Sequence, residues 1–206
     1  MLRVAVFASG QGSNFQNLVD AAATDKLGGA IIDLLVCDKP AAPVVDRAKR
    51  SGIDTLVFEP KQYESREAYE LEIIAELHKR GIELIVLAGY MRLITDVLVR
   101  PYEGRMVNIH PSLLPSFPGK DAVGQALQYG VKITGVSVHL VDGGLDSGAI
   151  IVQEAVTIDA ADNRESLEAK IHAAEAVLYP AVVRAFAEGR VEIQDRLVTV
   201  GTRIVI

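Results

Sequence analysis

The sequence contains little cysteine, no long hydrophobic run and no excess of positive charge. Its single cysteine, Cys37, excludes an internal disulfide, is typical of a protein of the reducing cytoplasm, and stands in an apolar run that predicts a core residue. No apolar segment is long enough to cross a membrane, and the opening run MLRVAVFASG lacks the layout of a signal peptide. The formal net charge of −6 argues against binding of nucleic acid by phosphate neutralisation. We therefore predict a cytoplasmic protein without nucleic-acid or membrane partners.

Apolar runs alternate with amphipathic stretches through the first half of the chain. This alternation is typical of an α/β fold with a doubly wound, mostly parallel sheet and helices on both of its faces. Strands are predicted at 3–8, 31–37, 54–57, 84–88, 106–110, 133–140 and 149–155, and the main helices at 15–23, 43–52, 65–80, 122–129 and 164–188. The alternating tail from residue 191 predicts a small C-terminal β extension. We predict a single domain over residues 1–206, with a nucleotide-binding half at 1–100 and a catalytic half at 101–206.

The most informative stretch reads NIHPSLLPSFPGKDA and runs from Asn108 to Ala122. Asn108 and His110 stand two apart at the end of a predicted strand, so both side chains project from the same face. Open parallel sheets carry their reaction sites at the carboxyl ends of the strands. An amide and an imidazole placed there suit acyl-group chemistry, because one can hold an oxyanion and the other can move a proton. A lone histidine at a strand end is more often structural, so this interpretation depends on other parts of the chain.

A glycine-rich turn follows the first predicted strand in the segment VFASGQGSNFQNL. Gly10 and Gly12 allow a tight turn and the close approach of a ligand, and Ser13 and Asn14 are residues that favour helix N-caps. The third glycine of a dinucleotide fingerprint is missing, and no Lys-Ser or Lys-Thr of a P-loop follows. The pattern indicates either a monophosphate site at the start of the helix or a merely tight connection.

A second glycine-rich loop, VDGGLDSGA, contains Asp146. An aspartate in such a loop usually caps its own turn, but beside His110 its carboxylate would stabilise an imidazolium. His139, Asp142 and Asp146 also suggest a metal site. The sequence offers no second closely spaced set of His or Cys ligands, so we expect no metal.

A third loop, GYMRLI, follows another predicted strand and lies on the same rim. Met91, Leu93 and Ile94 are candidates to line a flat apolar pocket, and Arg92 is a candidate to meet a carboxylate or a carbonyl. The alternative is a loop whose apolar residues are tucked into the core.

Taken together, the motifs GQGSN, AGYMRLI, NIHPSLLP, FPGKDA and VDGGLDSGAII resemble the phosphoribosylglycinamide formyltransferase family in order and spacing. The resemblance covers nearly the whole chain, to about Pro180, and implies a Rossmann-like formyltransferase fold. Methionyl-tRNA formyltransferase and formyltetrahydrofolate deformylase share the catalytic half but carry extra domains, for which we see no counterpart. Lys120 and Asp121 depart from the commoner residues of the pattern, as does the C-terminal tail.

The resemblance also implies roles for particular residues. Gly12, Ser13 and Asn14 match the turn that binds the ribonucleotide phosphate, and Glu175 matches a glutamate that approaches the glycinamide. The residues that match the catalytic set are Asn108, His110 and Asp146. The residues that match the folate site are Arg66, Met91, Arg92, Leu93, Ile94 and Asn108.

The implied reaction transfers a formyl group from 10-formyltetrahydrofolate, a co-substrate, to the amine of glycinamide ribonucleotide in de novo purine biosynthesis. The transfer is direct, passes through a tetrahedral intermediate and uses no metal. The chain would act as a monomer or a homodimer. Three alternatives stay open: a hydrolase that releases formate from the same folate, another formyltransferase, and a non-catalytic nucleotide-binding module that uses the glycine-rich turn alone.

Overall fold

The computed structural model describes residues 1–201 and is built around one seven-stranded sheet. The strands are β1 (Arg3–Phe7), β2 (Ile31–Cys37), β3 (Asp54–Val57), β4 (Leu84–Leu87), β5 (Met106–His110), β6 (Ile133–Leu140) and β7 (Ile150–Thr157). Their order across the sheet is β3-β2-β1-β4-β5-β6-β7. The first five strands are parallel, and β6 runs antiparallel to both of its neighbours. The predicted doubly wound, mostly parallel sheet is confirmed.

The parallel strands are connected by α1 (Ser13–Ala23), α2 (Pro43–Arg50), α3 (Arg66–Arg80) and α4 (Asp96–Val99). Helix α5 (Ala122–Tyr129) connects β5 to the antiparallel β6, and α6 (Arg164–Ala187) follows β7. Two further strands, β8 (Val191–Gln194) and β9 (Leu197–Val200), form a separate antiparallel pair, so the predicted C-terminal β extension is also confirmed. The predicted tail beyond residue 201 lies outside the described residues.

The core lies on both faces of the sheet because alternate strand residues point to opposite sides. In β1, Val4 and Val6 belong to one hydrophobic cluster, and Ala5 and Phe7 belong to the other. Cys37 is fully buried in the first cluster, as predicted. The sheet runs through both predicted halves of the chain without a break, since β4 pairs with β5.

Candidate active site

The site lies at the carboxyl ends of β1, β4 and β5, where the strand order changes direction. Strands β2 and β3 extend the sheet on one side of β1, and β4 and β5 extend it on the other, which makes this edge a topological switch point. The loops after β1 and β4 meet there, because the Ser9 N–H donates to the Gly89 carbonyl at 3.1 Å. Two predicted loops are thus brought together by the sheet itself.

Asn108 is oriented by His139, its partner across the β5–β6 ladder. The Nδ1–H of His139 donates to the Leu140 carbonyl at 2.7 Å, so Nε2 of the neutral ring is an acceptor. The Asn108 amide Nδ2 donates to that nitrogen at 3.1 Å. Burial lowers the pKa of His139, which keeps the ring neutral and able to accept. One N–H of the Asn108 amide is fixed in this way, and the other stays available for a ligand.

His110 is held between a carbonyl and a carboxylate. Its Nε2 donates to the Phe117 carbonyl at 2.8 Å, and its Nδ1 lies 3.5 Å from Oδ2 of Asp146. Because Nε2 already carries a proton, the ring can present an N–H to Asp146 only as the imidazolium. The predicted pairing of His110 with Asp146 is therefore present in the structure.

Asp146 reaches out of its loop. Its Oδ2 accepts the Gly119 N–H at 2.8 Å, and its Oδ1 lies 3.7 Å from Nε2 of His139. Its backbone has φ 49°, a left-handed conformation that aspartate tolerates better than most residues. The capping of the loop's own turn falls instead to Asp142, which accepts from the Gly144 N–H and the Ser147 hydroxyl.

The glycine-rich turn leads directly into α1, with one difference from the prediction. The helix begins at Ser13 and its N-cap is Gly12 with φ 75°, so the expectation that Ser13 and Asn14 cap it is wrong. No side chain caps this helix, and the first N–H groups of a helix lack acceptors within it. These N–H groups are therefore free to bind an anion.

Asn14 points inward and joins α1 to α6. Its Nδ2 donates to Oε2 of Glu175 at 3.0 Å, and its Oδ1 is buried without a partner among the described residues. Burial raises the pKa of Glu175, and the hydrogen bond from Asn14 offsets part of this effect. Two residues predicted to meet the same substrate thus contact each other.

The residues at 88–95 form an irregular segment that we call the methionine–arginine loop. Met91 and Leu93 are largely exposed, whereas Ile94 packs against the core. Arg92 meets a carboxylate of the chain itself, because its Nε donates to Oδ2 of Asp38 at 2.7 Å. The alternative of a loop tucked into the core holds for Ile94 alone among these three apolar residues, because Met91 and Leu93 face outward. Arg66 is exposed at the first position of α3.

Two residues of the site were not identified from the sequence in their observed roles. His139 was considered only as a metal ligand, and its position opposite Asn108 depends on an antiparallel register that a sequence does not reveal. The single hydroxyl proton of Tyr179 is shared between the carbonyls of Leu87 and Val107, with oxygen–oxygen distances of 2.7 and 3.2 Å, and so fixes α6 to the ends of β4 and β5.

Within residues 1–201, no group of three or more His, Cys, Asp or Glu side chains is placed to hold a metal ion. No helix in the same range has the length and apolar character needed to span a bilayer.

Comparisons with known proteins agree with this architecture. A model described as formyl transferase matches residues 2–183. Phosphoribosylglycinamide formyltransferase of Bacillus subtilis is 50% identical over 184 residues, which are 89% of this chain and 94% of that protein. The human trifunctional purine biosynthetic protein adenosine-3 is 40% identical over 193 residues, which are 94% of this chain and 19% of that protein. The crystal structure of glycinamide ribonucleotide transformylase 1 from Geobacillus kaustophilus has a TM-score of 0.87 at 53% identity, covering 91% of this chain and 99% of that one.

The chain therefore belongs to the formyl transferase family. The amide, the two histidines and the aspartate described above all lie inside the residues that the family model matches. Within the family, the chain is similar to phosphoribosylglycinamide formyltransferases in both sequence and fold.

Proposed function

We propose that this chain transfers the formyl group of 10-formyltetrahydrofolate to the amine of glycinamide ribonucleotide, a step of de novo purine biosynthesis in the cytoplasm. The observation that carries the proposal is the cluster of Asn108, His110 and Asp146, which is linked to the uncapped start of α1 through Glu175, the partner of Asn14 and a charge neighbour of His110. An oxyanion donor, a proton carrier and an anion site then stand at one edge of the sheet.

The ribonucleotide lies across α1 and α6. Its phosphate binds the free N–H groups after Gly12, with the exposed hydroxyl of Ser13 beside them. Its glycinamide end reaches the Asn14–Glu175 pair, where a carboxylate suits a positively charged or hydrogen-bond-donating amine. The net charge of −6 does not oppose this binding, because backbone N–H groups act locally.

The folate lies on the methionine–arginine loop. The exposed side chains of Met91 and Leu93 supply apolar surface for the flat pterin ring. Arg92 and Ile94 belong to the same folate-binding segment. The side chain of Arg66, exposed at the start of α3, can reach an anionic part of the folate. Asn108 touches the formyl group and so belongs to this site as well.

The reaction forms one C–N bond and breaks another. The ribonucleotide amine attacks the formyl carbon, and the carbonyl oxygen becomes an oxyanion that accepts from the second N–H of Asn108. His110, as the imidazolium, stabilises the same charge and supplies the proton that the departing folate nitrogen gains. Asp146 orients the ring of His110, and the proton released by the attacking amine returns to that ring through Asp146 and water.

The active geometry requires one change of partner. Because the Nε2–H of His110 points at the Phe117 carbonyl, the substrate oxygen must take the place of that carbonyl before the ring can donate to it.

The variant Asn108→Ala tests the central role in this scheme. Loss of an oxyanion donor should lower kcat by about 100- to 1000-fold. Calorimetric titration should still detect binding of glycinamide ribonucleotide, because the phosphate turn is untouched. A variant that transfers formyl groups at near the native rate would contradict the assignment of Asn108.

A further inference from the structure

Two buried carboxylates of the described residues lie outside both the proposed catalytic cluster and the proposed ribonucleotide site. Asp38 follows β2 and is 3% exposed, and Glu70 lies in α3 and is 1% exposed. Burial of a carboxylate is unfavourable unless charged or hydrogen-bonding partners compensate for the lost hydration. Neither residue has a role in the chemistry described above, so their placement calls for another explanation.

Both carboxylates are bound to the methionine–arginine loop. Asp38 accepts from Nε of Arg92 at 2.7 Å. Glu70 accepts from the backbone N–H of Thr95 at 2.9 Å, and its second oxygen accepts from the Thr95 hydroxyl. Hydrogen bonds to ionised groups are stronger than those between neutral groups, so these contacts restrain the loop at two points.

The rest of the loop is fixed by β1 and by the segment that follows it. The Met91 N–H donates to Oγ of Ser9 at 2.9 Å, and the ring of Tyr90 packs edge-on against Phe7 with 5.3 Å between the ring centroids. A segment without regular secondary structure is thus attached to three different parts of the fold.

The side chains left outside these attachments are the ones that would meet a ligand. Met91 is 66% exposed and Leu93 is 59% exposed, although both are large and apolar. The anchoring contacts come from backbone N–H groups and from the Arg92 guanidinium, so the backbone is held while an apolar surface is presented. Such pre-organisation improves affinity because less conformational freedom is lost on binding.

We propose that Asp38 and Glu70 are positioning residues that hold the methionine–arginine loop in the shape that binds reduced folate. The inference rests on the proposed function, because it takes this loop as the folate site. It predicts that both carboxylates act on the affinity for folate and not on the affinity for the ribonucleotide, whose site is built from α1 and α6.

The test uses Asp38→Asn and Glu70→Gln, which remove the charge and keep the size. Each should raise the Kd of tetrahydrofolate, measured by calorimetric titration, and the KM for 10-formyltetrahydrofolate roughly tenfold. The KM for glycinamide ribonucleotide and kcat should change less than about twofold, because a purely positional loss affects binding of one substrate. The matched control is Glu76→Gln in the same helix, whose carboxylate binds Arg80 at the surface and should leave the Kd of tetrahydrofolate unchanged.

The outcomes separate this inference from the proposed function. Unchanged folate binding in both variants, or equal losses for the two substrates, would overturn the positioning role, and Met91→Ala would still report whether the loop binds folate. Failure of the native chain to bind tetrahydrofolate would overturn the proposed function and this inference with it. If Asp38→Asn does not fold, Ser9→Ala removes the acceptor of the Met91 N–H and should weaken folate binding in the same selective way.

Discussion

At the scale of single residues, Asp146 connects the parts of the candidate catalytic centre. Its two oxygens face His110, His139 and the Gly119 N–H, so one carboxylate links the end of β5, the segment that follows it and β6. A group with this many contacts is expected to act through its neighbours and not alone.

We predict that the losses from His110→Ala and Asp146→Asn are not additive. Each single variant should lower kcat by about 100-fold or more, because proton transfer and oxyanion stabilisation both depend on the pair. Since Asp146 acts through His110, the double variant should be little slower than the poorer single variant. Steady-state kinetics of the three proteins measure this, and fully additive losses would show that the two residues act independently.

A second prediction separates phosphate binding from packing in the glycine-rich turn. A Cβ on Gly12 would collide with the Val44 side chain, whose Cβ lies 2.7 Å away, so Gly12→Ala should destabilise the fold by about 1–3 kcal/mol. A Cβ on Gly10 meets no protein atom within 4 Å. Gly10→Ala should therefore keep the native unfolding midpoint while it raises the KM for glycinamide ribonucleotide. A Gly10→Ala enzyme with native KM would place the phosphate elsewhere.

A third prediction concerns Glu175. Its buried carboxylate should strengthen binding of the ribonucleotide and lower the free energy of unfolding. Its folded-state pKa is raised by burial, so the stability it contributes is present below its unfolded pKa and is lost as the pH rises through the folded value. Glu175→Gln keeps an oxygen for the Asn14 amide and removes the charge. The variant should melt higher than the native protein, by a margin that grows from pH 5 to pH 7.5.

The same variant should bind the ribonucleotide more weakly. Loss of a charged partner for the glycinamide amine should raise the KM for glycinamide ribonucleotide roughly tenfold, while the KM for 10-formyltetrahydrofolate stays unchanged. Thermal melts across the pH range and steady-state kinetics test the two halves of the prediction. A variant that melts at a lower temperature than the native protein at pH 7.5 would show that the buried charge of Glu175 does not destabilise the fold.

Some residue positions could be predicted from sequence and some could not. Asn108 and His110 were found because side chains two apart in a strand share a face. The inward turn of Asn14 was missed, since the choice between capping a helix and meeting Glu175 depends on a contact 161 residues away. Asp142 and Asp146 have similar local sequences, and only tertiary contacts assign capping to the first and the His110 contact to the second.

At the scale of elements, Tyr179 fixes α6 to the sheet, and this helix carries Glu175 one turn earlier. We predict that Tyr179→Phe destabilises the protein by about 1–2 kcal/mol, because the carbonyls of Leu87 and Val107 lose the hydroxyl proton that they share. Urea unfolding measures the change. The matched control is Tyr129→Phe. The Tyr129 side chain is exposed, so its hydroxyl contacts water and its removal should change the stability little. Equal stability of the two variants would show that the buried hydrogen bonds contribute nothing measurable.

Element boundaries were predictable where turn residues mark them. Strands at 31–37, 54–57, 106–110 and 133–140 and the helix at 122–129 match the observed elements end to end. The observed α1 starts two residues earlier than predicted, because Gly12 in a left-handed conformation serves as the N-cap. The antiparallel direction of β6 was not predicted, since direction follows from pairing with β5 and not from local pattern.

At the scale of the whole molecule, a negatively charged chain is proposed to bind two anionic substrates. The sheet explains how this is achieved: it brings the uncapped start of α1, the methionine–arginine loop and the end of β5 to one edge. The attraction is local, from backbone N–H groups and a few side chains, and does not require a positive surface. The order of the motifs along the chain was enough to predict this meeting, because parallel strands present their carboxyl ends together.

The central claim is direct transfer of the formyl group to the ribonucleotide amine, and the fate of the formyl carbon tests it most directly. The native protein is incubated with 10-formyltetrahydrofolate carrying a labelled formyl carbon, with and without glycinamide ribonucleotide. If transfer is direct, the amount of label in formylated ribonucleotide should equal the amount of tetrahydrofolate released, and little formate should form when the ribonucleotide is absent. Release of labelled formate at the same rate with and without ribonucleotide would identify a hydrolase, and no turnover of the folate in either case would leave only a binding module; either result would contradict the account.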